Sequence, residues 1–348
     1  MLDRLKELCL LSGVSGEEDP VAEYITGQIG GKAKVTRDNL GNLLVFKKGI
    51  KRPKHKIMIC AHMDEVGFII TGVTTDGMLR FAAVGGIDAR VIIGRAVNVG
   101  TAGYPGVIGT KPIHLQSDSE RGGVPDIDSL YIDIGALSEE DARTHIMPGD
   151  RAVFCSEFLA FGDGMIKSKA IDDRAGCAIL LELIDSDLRY DMHFAFTVQE
   201  EIGLRGAKTA AFGINPDMAI VVETTTAADI AGVEAEKQVC RLGEGPVVSF
   251  MDRSTIYDKK LYALAFAAAK DNGIPCQTKS MIAGGNDSGA VHVSTGGVRT
   301  TAISIPCRYL HSPSCVIKIS DMEQTLLLVG KMMEKMSEIP IVNMKENE

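Results

Sequence analysis

The sequence predicts an α/β fold: a mixed, largely parallel sheet flanked by helices, with a small β-rich domain inserted into it. Three observations predict this. After the Asp163-Gly164 turn, residues 175–183 read as a helix, 194–198 as a strand, 207–212 as a helix and 218–222 as a strand. Strands that alternate with helices pair in parallel, because each crossover helix returns the chain to the same end of the sheet. Residues 71–162 have a different texture, with short β-prone pieces at 96–99, 107–108, 131–134 and 152–154 broken by glycines. Finally, 348 residues exceed one ordinary compact core. The expected division is a discontinuous main domain, 1–70 with 163–348, and an inserted β-rich domain, 71–162.

The remaining elements follow from spacing and punctuation. Leu2, Leu5 and Leu8, then Val21, Tyr24, Ile25 and Ile29, recur at helical intervals, with Gly13 and Gly30-Gly31 as stops. Residues 43–46 and 57–61 are short apolar runs on either side of a basic turn, which predicts neighbouring strands. Within the insertion, residues 117–128 are polar and acidic and are expected to form a mobile loop. Residues 256–270 are expected to form an amphipathic helix and 300–305 a strand. Ser320 and Glu323 have the spacing of a capping box that opens the last helix. Loss of order is expected only at 345–348.

Composition narrows the function classes. Hydrophobic residues make up 45% of the chain and charged residues 24%, as in ordinary globular proteins. The formal charge of −9 disfavours a nucleic-acid partner. The basic run at 47–56 reads as a solvated loop. The first residues are charged and amphipathic, unlike a signal peptide, and no stretch approaches the ~20 apolar residues of a membrane span. Eight scattered cysteines without a Cys-x-x-Cys pair read as reduced core thiols. A cytoplasmic protein without a membrane partner is expected.

Acidic residues and histidines gather where strands end. His62 and Asp64 follow the apolar run at 57–61, and open α/β sheets build their sites at the carboxyl ends of strands. A lone histidine there is more often a satisfied core residue, but a carboxylate two residues on can accept its second N–H and orient it toward a metal. Asp172-Asp173 stand at the mouth of a helix. One carboxylate suffices as a cap, and the second remains free to bridge two cations. Glu200-Glu201 close the strand that starts near Phe194, where paired acids are costly without a cation or hydrogen bonds. Alternation would let one ligate while the other points at water. Glu223 follows another apolar strand, and His311 comes shortly after the strand ending at Ile305. Oxygen and nitrogen ligands without thiolates suit zinc, cobalt or manganese in a catalytic site.

With these residues assembled, the chain resembles the tetrahedral aminopeptidase family of dinuclear metallopeptidases, peptidase family M42, which includes glutamyl and deblocking aminopeptidases and proteins named cellulase M. The likeness covers nearly the whole chain. Its motifs are Ala61-His62-Met63-Asp64-Glu65-Val66-Gly67, Ile171-Asp172-Asp173-Arg174, Gln199-Glu200-Glu201-Ile202-Gly203, Gly284-Gly285-Asn286-Asp287 and Tyr309-Leu310-His311-Ser312. The resemblance implies a zinc-exopeptidase fold, with His62, Asp172 and Glu223 holding one metal and Glu201, His311 and the shared Asp172 the other. It implies Glu200 as the general base acting on a metal-activated water, Asp64 as the residue that orients His62, and a cis Asp172-Asp173 peptide. Two divalent ions per subunit, zinc or cobalt, and peptide substrates with a free N-terminus are expected. The inserted domain is expected to mediate dimerisation, with dimers building a dodecamer. Two departures stand out: Glu223 occupies a position where many members have Asp, and Asn286 one where Thr is common. Ligation by the longer carboxylate is expected to survive.

The competing readings are a deacylase or amidohydrolase on the same metal centre and a noncatalytic assembly protein that kept the fold. A glycosidase fits poorly, because nothing places two carboxylates on either side of a sugar bond.

Overall fold

The computed structural model of the chain is described over residues 1–340; the loose end expected at 345–348 lies outside the described residues. Helices α1 (Leu2–Leu10) and α2 (Asp19–Ile29) open the chain. Leu5, Leu8, Val21, Ile25 and Ile29 are fully buried, so the apolar spacing marks the faces turned inward. Gly30 ends α2 in the left-handed region, at a φ of 52°. Strands β1 (Lys34–Arg37), β2 (Leu43–Lys47) and β3 (Ile57–His62) follow.

The chain then forms β4 (Gly67–Val73), β5 (Leu79–Val84), α3 (Ala89–Ile92), β6 (Ala96–Val99), β7 (Tyr104–Gly109), α4 (Asp118–Gly122), β8 (Tyr131–Asp133), α5 (Glu139–Arg143) and β9 (Arg151–Phe154). The six strands close into a barrel in the order β4-β5-β8-β7-β6-β9. Closure leaves no free edge and gives this segment its own core. The Phe68 ring meets Phe81 and Phe154 edge-on, with centroids 5.1 and 5.3 Å apart. Residues 117–128, expected as a loop, carry the short helix α4 and a 3-10 turn at Ile127–Ser129.

After the barrel come β10 (Leu159–Phe161), β11 (Met165–Ser168), α6 (Ile171–Asp185), β12 (Met192–Thr197), α7 (Arg205–Ile214) and β13 (Met218–Thr226). The chain continues through β14 (Val247–Val248), α8 (Lys259–Asp271), β15 (Gln277–Thr278), α9 (Ser288–Val291), β16 (Arg299–Cys307), β17 (Cys315–Lys318) and α10 (Ile319–Ser337). The main sheet has eight strands in the order β1-β2-β12-β3-β13-β16-β14-β15. Its central four, β12, β3, β13 and β16, are mutually parallel. Every residue of β3 is buried, as a central parallel strand covered on both faces requires. Helices α1, α2, α6, α8 and α10 pack their apolar faces into one core, while α7 and α9 cover a second core around Met58, Cys60, Ala195 and Val221. α7 lies so close to the end of β12 that a Cβ on Gly206 would collide with the Val198 carbonyl oxygen. Register puts Thr197 beside His62 and Glu223 beside Ser304, so the carboxyl ends of the central strands share one edge.

Three expectations need correction. The helix expected from Ile256 starts at Lys259, because the Asp258 carboxylate accepts from the backbone N–H of Lys260 and Leu261, at 2.8 and 2.9 Å. Ile256 instead bridges to Met251. Ser320 and Glu323 lie inside α10 rather than capping it, since the helix leaves β17 directly and the Ile319 N–H is held by the Gly164 carbonyl. Glu200-Glu201 lie in a turn beyond β12, not on the strand, so strand alternation does not separate them. No helix among the described residues is long and apolar enough to cross a membrane.

These helix starts predict opposite outcomes for two substitutions. Asp258→Ala should lower the free energy of unfolding by about 1–2 kcal/mol through loss of the cap, whereas Ser320→Ala should change it by less than about 0.5 kcal/mol. Urea unfolding of the two variants checks this, and a larger cost for Ser320→Ala would restore the capping box.

Candidate metal centre

Each candidate ligand is carried to the same edge by a different element. β3 ends on His62, and Glu223 lies within β13. The chain leaves β12 through Gln199, whose φ of 55° turns it sharply and presents Glu200 and Glu201. β16 feeds a loop in which Tyr309 and His311 both have positive φ, 59° and 57°. Asp172 and Asp173 stand at the mouth of α6, joined by a cis peptide bond.

The side chains converge. Asp172 divides its oxygens between the two histidines, Oδ1 lying 3.4 Å from Nε2 of His62 and Oδ2 3.5 Å from Nε2 of His311. Glu223 Oε1 faces His62 Nε2 at 3.5 Å, and Glu201 Oε2 faces His311 Nε2 at 3.3 Å. The Nε2 atom of each imidazole thus faces two carboxylate oxygens. His62, Asp172 and Glu201 can bring ligand atoms within 4.8 Å of one another, and so can His62, Asp173 and Glu223. Asp173 nevertheless has both oxygens engaged by backbone, with Gly176 N–H donating at 2.9 Å and His62 N–H at 3.3 Å. Of the acidic pair, Asp173 caps and Asp172 faces the cavity. A set of nitrogen and oxygen donors without thiolate, most of it buried, suits a divalent cation with catalytic duties.

Asp64 joins two strand ends. Its fully buried carboxylate accepts from the Glu200 N–H at 3.0 Å, the Glu201 N–H at 3.1 Å and the Ser15 hydroxyl at 2.6 Å. His62 Nδ1 lies 3.1 Å from the Asp64 carbonyl oxygen and 3.4 Å from its carboxylate, so main chain and side chain both orient the ring. Below the site, Lys169 donates to both oxygens of Glu65, at 2.7 and 2.9 Å, and Arg174 reaches Glu65 and donates to the Leu8 carbonyl. The barrel contributes as well, through the Gly86 carbonyl 2.7 Å from His311 Nδ1. Adjacent Gly85 has a φ of 88°, and a Cβ there would meet Val66 at 2.7 Å.

Burial, with crowding of like charge, sets the protonation. Burial, reinforced by Asp172, pushes Glu201 up to about 8, and burial with Asp172 nearby does the same for Glu223. Burial also drives Glu200 well above the ordinary carboxyl range, with Glu223, Asp287 and Glu201 adding to it against the pull of His62. For His62, burial opposes protonation, but Glu223, Asp172 and Asp64 outweigh it and raise the imidazole well above its usual value. The same contest, won by Asp172 and Glu201, takes His311 to about 10. The Glu200 carboxylate accepts no hydrogen bond from a described residue and lines a cavity of about 430 Å³ together with His62, Asp172, Glu201, Glu223 and His311.

All seven residues singled out in the sequence, His62, Asp64, Asp172, Glu200, Glu201, Glu223 and His311, therefore meet. Sequence reasoning missed Ser15, which is 49 residues from its partner Asp64, and the buried bond from the Thr197 hydroxyl to Asp287, 2.5 Å across 90 residues. Only the Gly284-Gly285-Asn286-Asp287 motif hinted at the second.

The chain is also similar over most of its length to known proteins. A family model described as M42 glutamyl aminopeptidase matches residues 41–328. The glutamyl aminopeptidase of Lactococcus lactis is 32% identical, with 93% of this chain and 93% of that protein covered. The lysyl aminopeptidase of Pyrococcus furiosus is 31% identical, with 95% and 96% covered. Among solved structures, the TET1 peptidase of Pyrococcus horikoshii, which can assemble into a tetrahedron or a large octahedral shell, superposes with a TM-score of 0.83 at 36% identity, covering 95% of this chain and 98% of its own.

The raised carboxyls give a sign to metal uptake. Glu201 and Glu223, held near 8, carry protons at pH 7 that a cation must displace. Zinc titrated into metal-stripped protein should release protons, seen as a binding enthalpy that scales with buffer ionisation enthalpy, and affinity should fall as pH is lowered from 8 to 6. Buffer-independent enthalpy and pH-independent affinity would contradict this placement of the protons.

Proposed function

From the premise that the chain belongs to the M42 glutamyl aminopeptidase family, and is an aminopeptidase of that metallopeptidase family, we propose that it removes N-terminal residues from peptides with two divalent cations and Glu200 as general base. The observation that carries this reading is the division of Asp172 between the two histidines. His62, Asp172 and Glu223 would hold one ion, and Glu201, His311 and the shared Asp172 the other, with zinc or cobalt suited to the donor set. Such ions supply Lewis acidity toward a scissile carbonyl and lower the pKa of water.

The chain's own residues do the rest. Glu200 lines the cavity with its carboxylate uncommitted, so it can take a proton from water and return it to the leaving amine. Its elevated pKa suits a group that must act first as base and then as acid. Asp64 is a positioning residue, fixing the Glu200 and Glu201 backbone while orienting His62. The longer Glu223 reaches His62 Nε2 at 3.5 Å, in keeping with ligation despite the departure from Asp.

Substrates with a free N-terminus follow from the exopeptidase reading. Residues 1–70 and 163–348 would form the catalytic domain, and 71–162 a dimerisation domain, supported by the closed barrel with its own core. Dimers building a dodecamer are supported by the tetrahedral assembly of the Pyrococcus horikoshii relative. Free cysteines, most of them buried, support the reducing cytoplasm as its compartment.

A panel of aminoacyl-p-nitroanilides with N-acetylated controls tests this reading in metal-stripped and metal-restored protein. Restored cleavage confined to free-amine substrates is expected. Glu200→Gln should lower kcat by about 10²–10⁴-fold while retaining its metal. Cleavage of the acetylated substrates instead would make the protein a deacylase.

A further inference from the structure

Beyond Thr197 the chain is held by side chains rather than by a neighbouring strand. Four successive backbone N–H groups donate to side-chain oxygens brought from elsewhere in the sequence. Asn42 accepts from Val198 at 2.9 Å, Glu18 from Gln199 at 3.2 Å, and Asp64 from Glu200 and Glu201 at 3.0 and 3.1 Å. All three acceptor residues are buried. Asn42 and Asp64 sit on or beside the strands that flank β12, but Glu18 comes from the start of a helix 181 residues away from its partner.

Glu18 is the least expected of the three. It occupies the N-cap position of α2, where Ser, Thr, Asp or Asn is favoured because a short side chain reaches the first free N–H groups of the helix. Glu18 makes no such bond to its own helix. Its Oε1 accepts instead from the Gly16 N–H at 2.7 Å and from the Gln199 N–H. Burial raises its pKa, with Asp64 adding to the shift and the Gly16 and Gln199 N–H groups opposing it. A helix start that gives up the usual cap for a buried carboxyl breaks a local rule, and such breaks gather where function requires them. The same segment is fastened to the metal-bearing edge at two further points: Ser15 donates to Asp64 at 2.6 Å, and the Glu65 N–H donates to the Gly13 carbonyl at 3.0 Å.

The residue that Glu18 holds is the one that turns the chain. Gln199 has a φ of 55°, a left-handed conformation that residues with a side chain seldom adopt. Its carbonyl accepts from Arg205 within the same turn at 3.2 Å, while its N–H is held from outside by Glu18. Glu200 and Glu201 follow directly, so relaxation of Gln199 to an ordinary φ would swing both away from the cavity they line. We propose that Glu18 is a positioning residue: its carboxylate holds Gln199 in the left-handed conformation and thereby aims Glu200 and Glu201 into the metal-bearing cavity. The inference rests on the reading of Glu200 as general base and Glu201 as ligand.

The test measures kcat and KM on a free-amine p-nitroanilide at saturating zinc for wild type, Glu18→Ala, Glu18→Gln, and a double variant joining Glu18→Ala to Gln199→Gly. Glu18→Ala should lower kcat by roughly 100-fold, the size of effect that a small misplacement of a catalytic group produces. KM should change little, because Glu18 does not line the cavity. Glu18→Gln keeps an acceptor oxygen and should restore most of the rate. Glycine adopts the left-handed conformation without strain, so the double variant should recover part of it; a role confined to stability predicts the opposite, since glycine loosens the folded chain further. Hydrogen exchange reads the same hold without turnover: residues 198–201 should exchange faster in Glu18→Ala and at the wild-type rate in Glu18→Gln. A wild-type kcat in Glu18→Ala, a loss in Glu18→Gln as deep as in Glu18→Ala, or a double variant no faster than Glu18→Ala each overturns the assignment. If wild type cleaves no substrate, the peptidase reading fails and exchange alone decides: faster exchange confined to this turn in Glu18→Ala upholds Glu18 as its hold, and unchanged exchange overturns it.

Discussion

Crowding of carboxylates at one end of a buried parallel sheet is the constraint around which this molecule is arranged. Asp172, Glu201 and Glu223 face two imidazoles, with Glu200, Asp64, Asp173 and Asp287 close behind. Such a cluster in low dielectric is expensive unless protons, hydrogen bonds or cations compensate. The chain supplies hydrogen bonds to the members that orient, Asp64 and Asp173. It leaves the oxygens of Asp172 facing two histidines. Burial, with Asp172 adding to it, pushes Glu201 and Glu223 up to about 8, and the facing carboxylates raise both histidines above their usual value.

Rigid support makes that arrangement possible. The turn bearing Glu200 and Glu201 is tied to Asp64 at two successive N–H groups, so the ends of β3 and β12 act as one unit. Under it, Lys169 and Arg174 grip Glu65 and reach the backbone of the first helix and its exit, at Leu8 and Leu11. Breaking one member of such a buried set leaves an uncompensated charge, so the network acts as a structural anchor even if its net contribution to stability is small. The barrel is more than an appendage to this centre, since the Gly86 carbonyl orients His311.

Much of this was legible in the residues. The period of apolar positions exposed α1, α2 and the alternating second half, because an amphipathic face must repeat at the period of its element. The site was legible for a different reason: each acid or histidine alone had an ordinary structural explanation, but several of them gathered after buried runs, in motifs that resemble those of one family. What stayed hidden depended on tertiary contact. The start of α8 was misplaced because Ile256 looks helical by spacing but pairs with Met251. Glu200 and Glu201 seemed to end a strand, yet the left-handed Gln199 turns the chain before them. Ser15 carries no local signal, since it gains meaning only from Asp64.

The proposed two-ion centre depends on Asp172 being shared between two cation sites. Equilibrium dialysis against zinc followed by elemental analysis of wild type, His311→Ala and Asp172→Ala measures it directly. About two ions per chain are expected in wild type, one retained when only His311 is lost, and neither held tightly once Asp172 is removed. A single ion in wild type, or two ions still bound by Asp172→Ala, would contradict it.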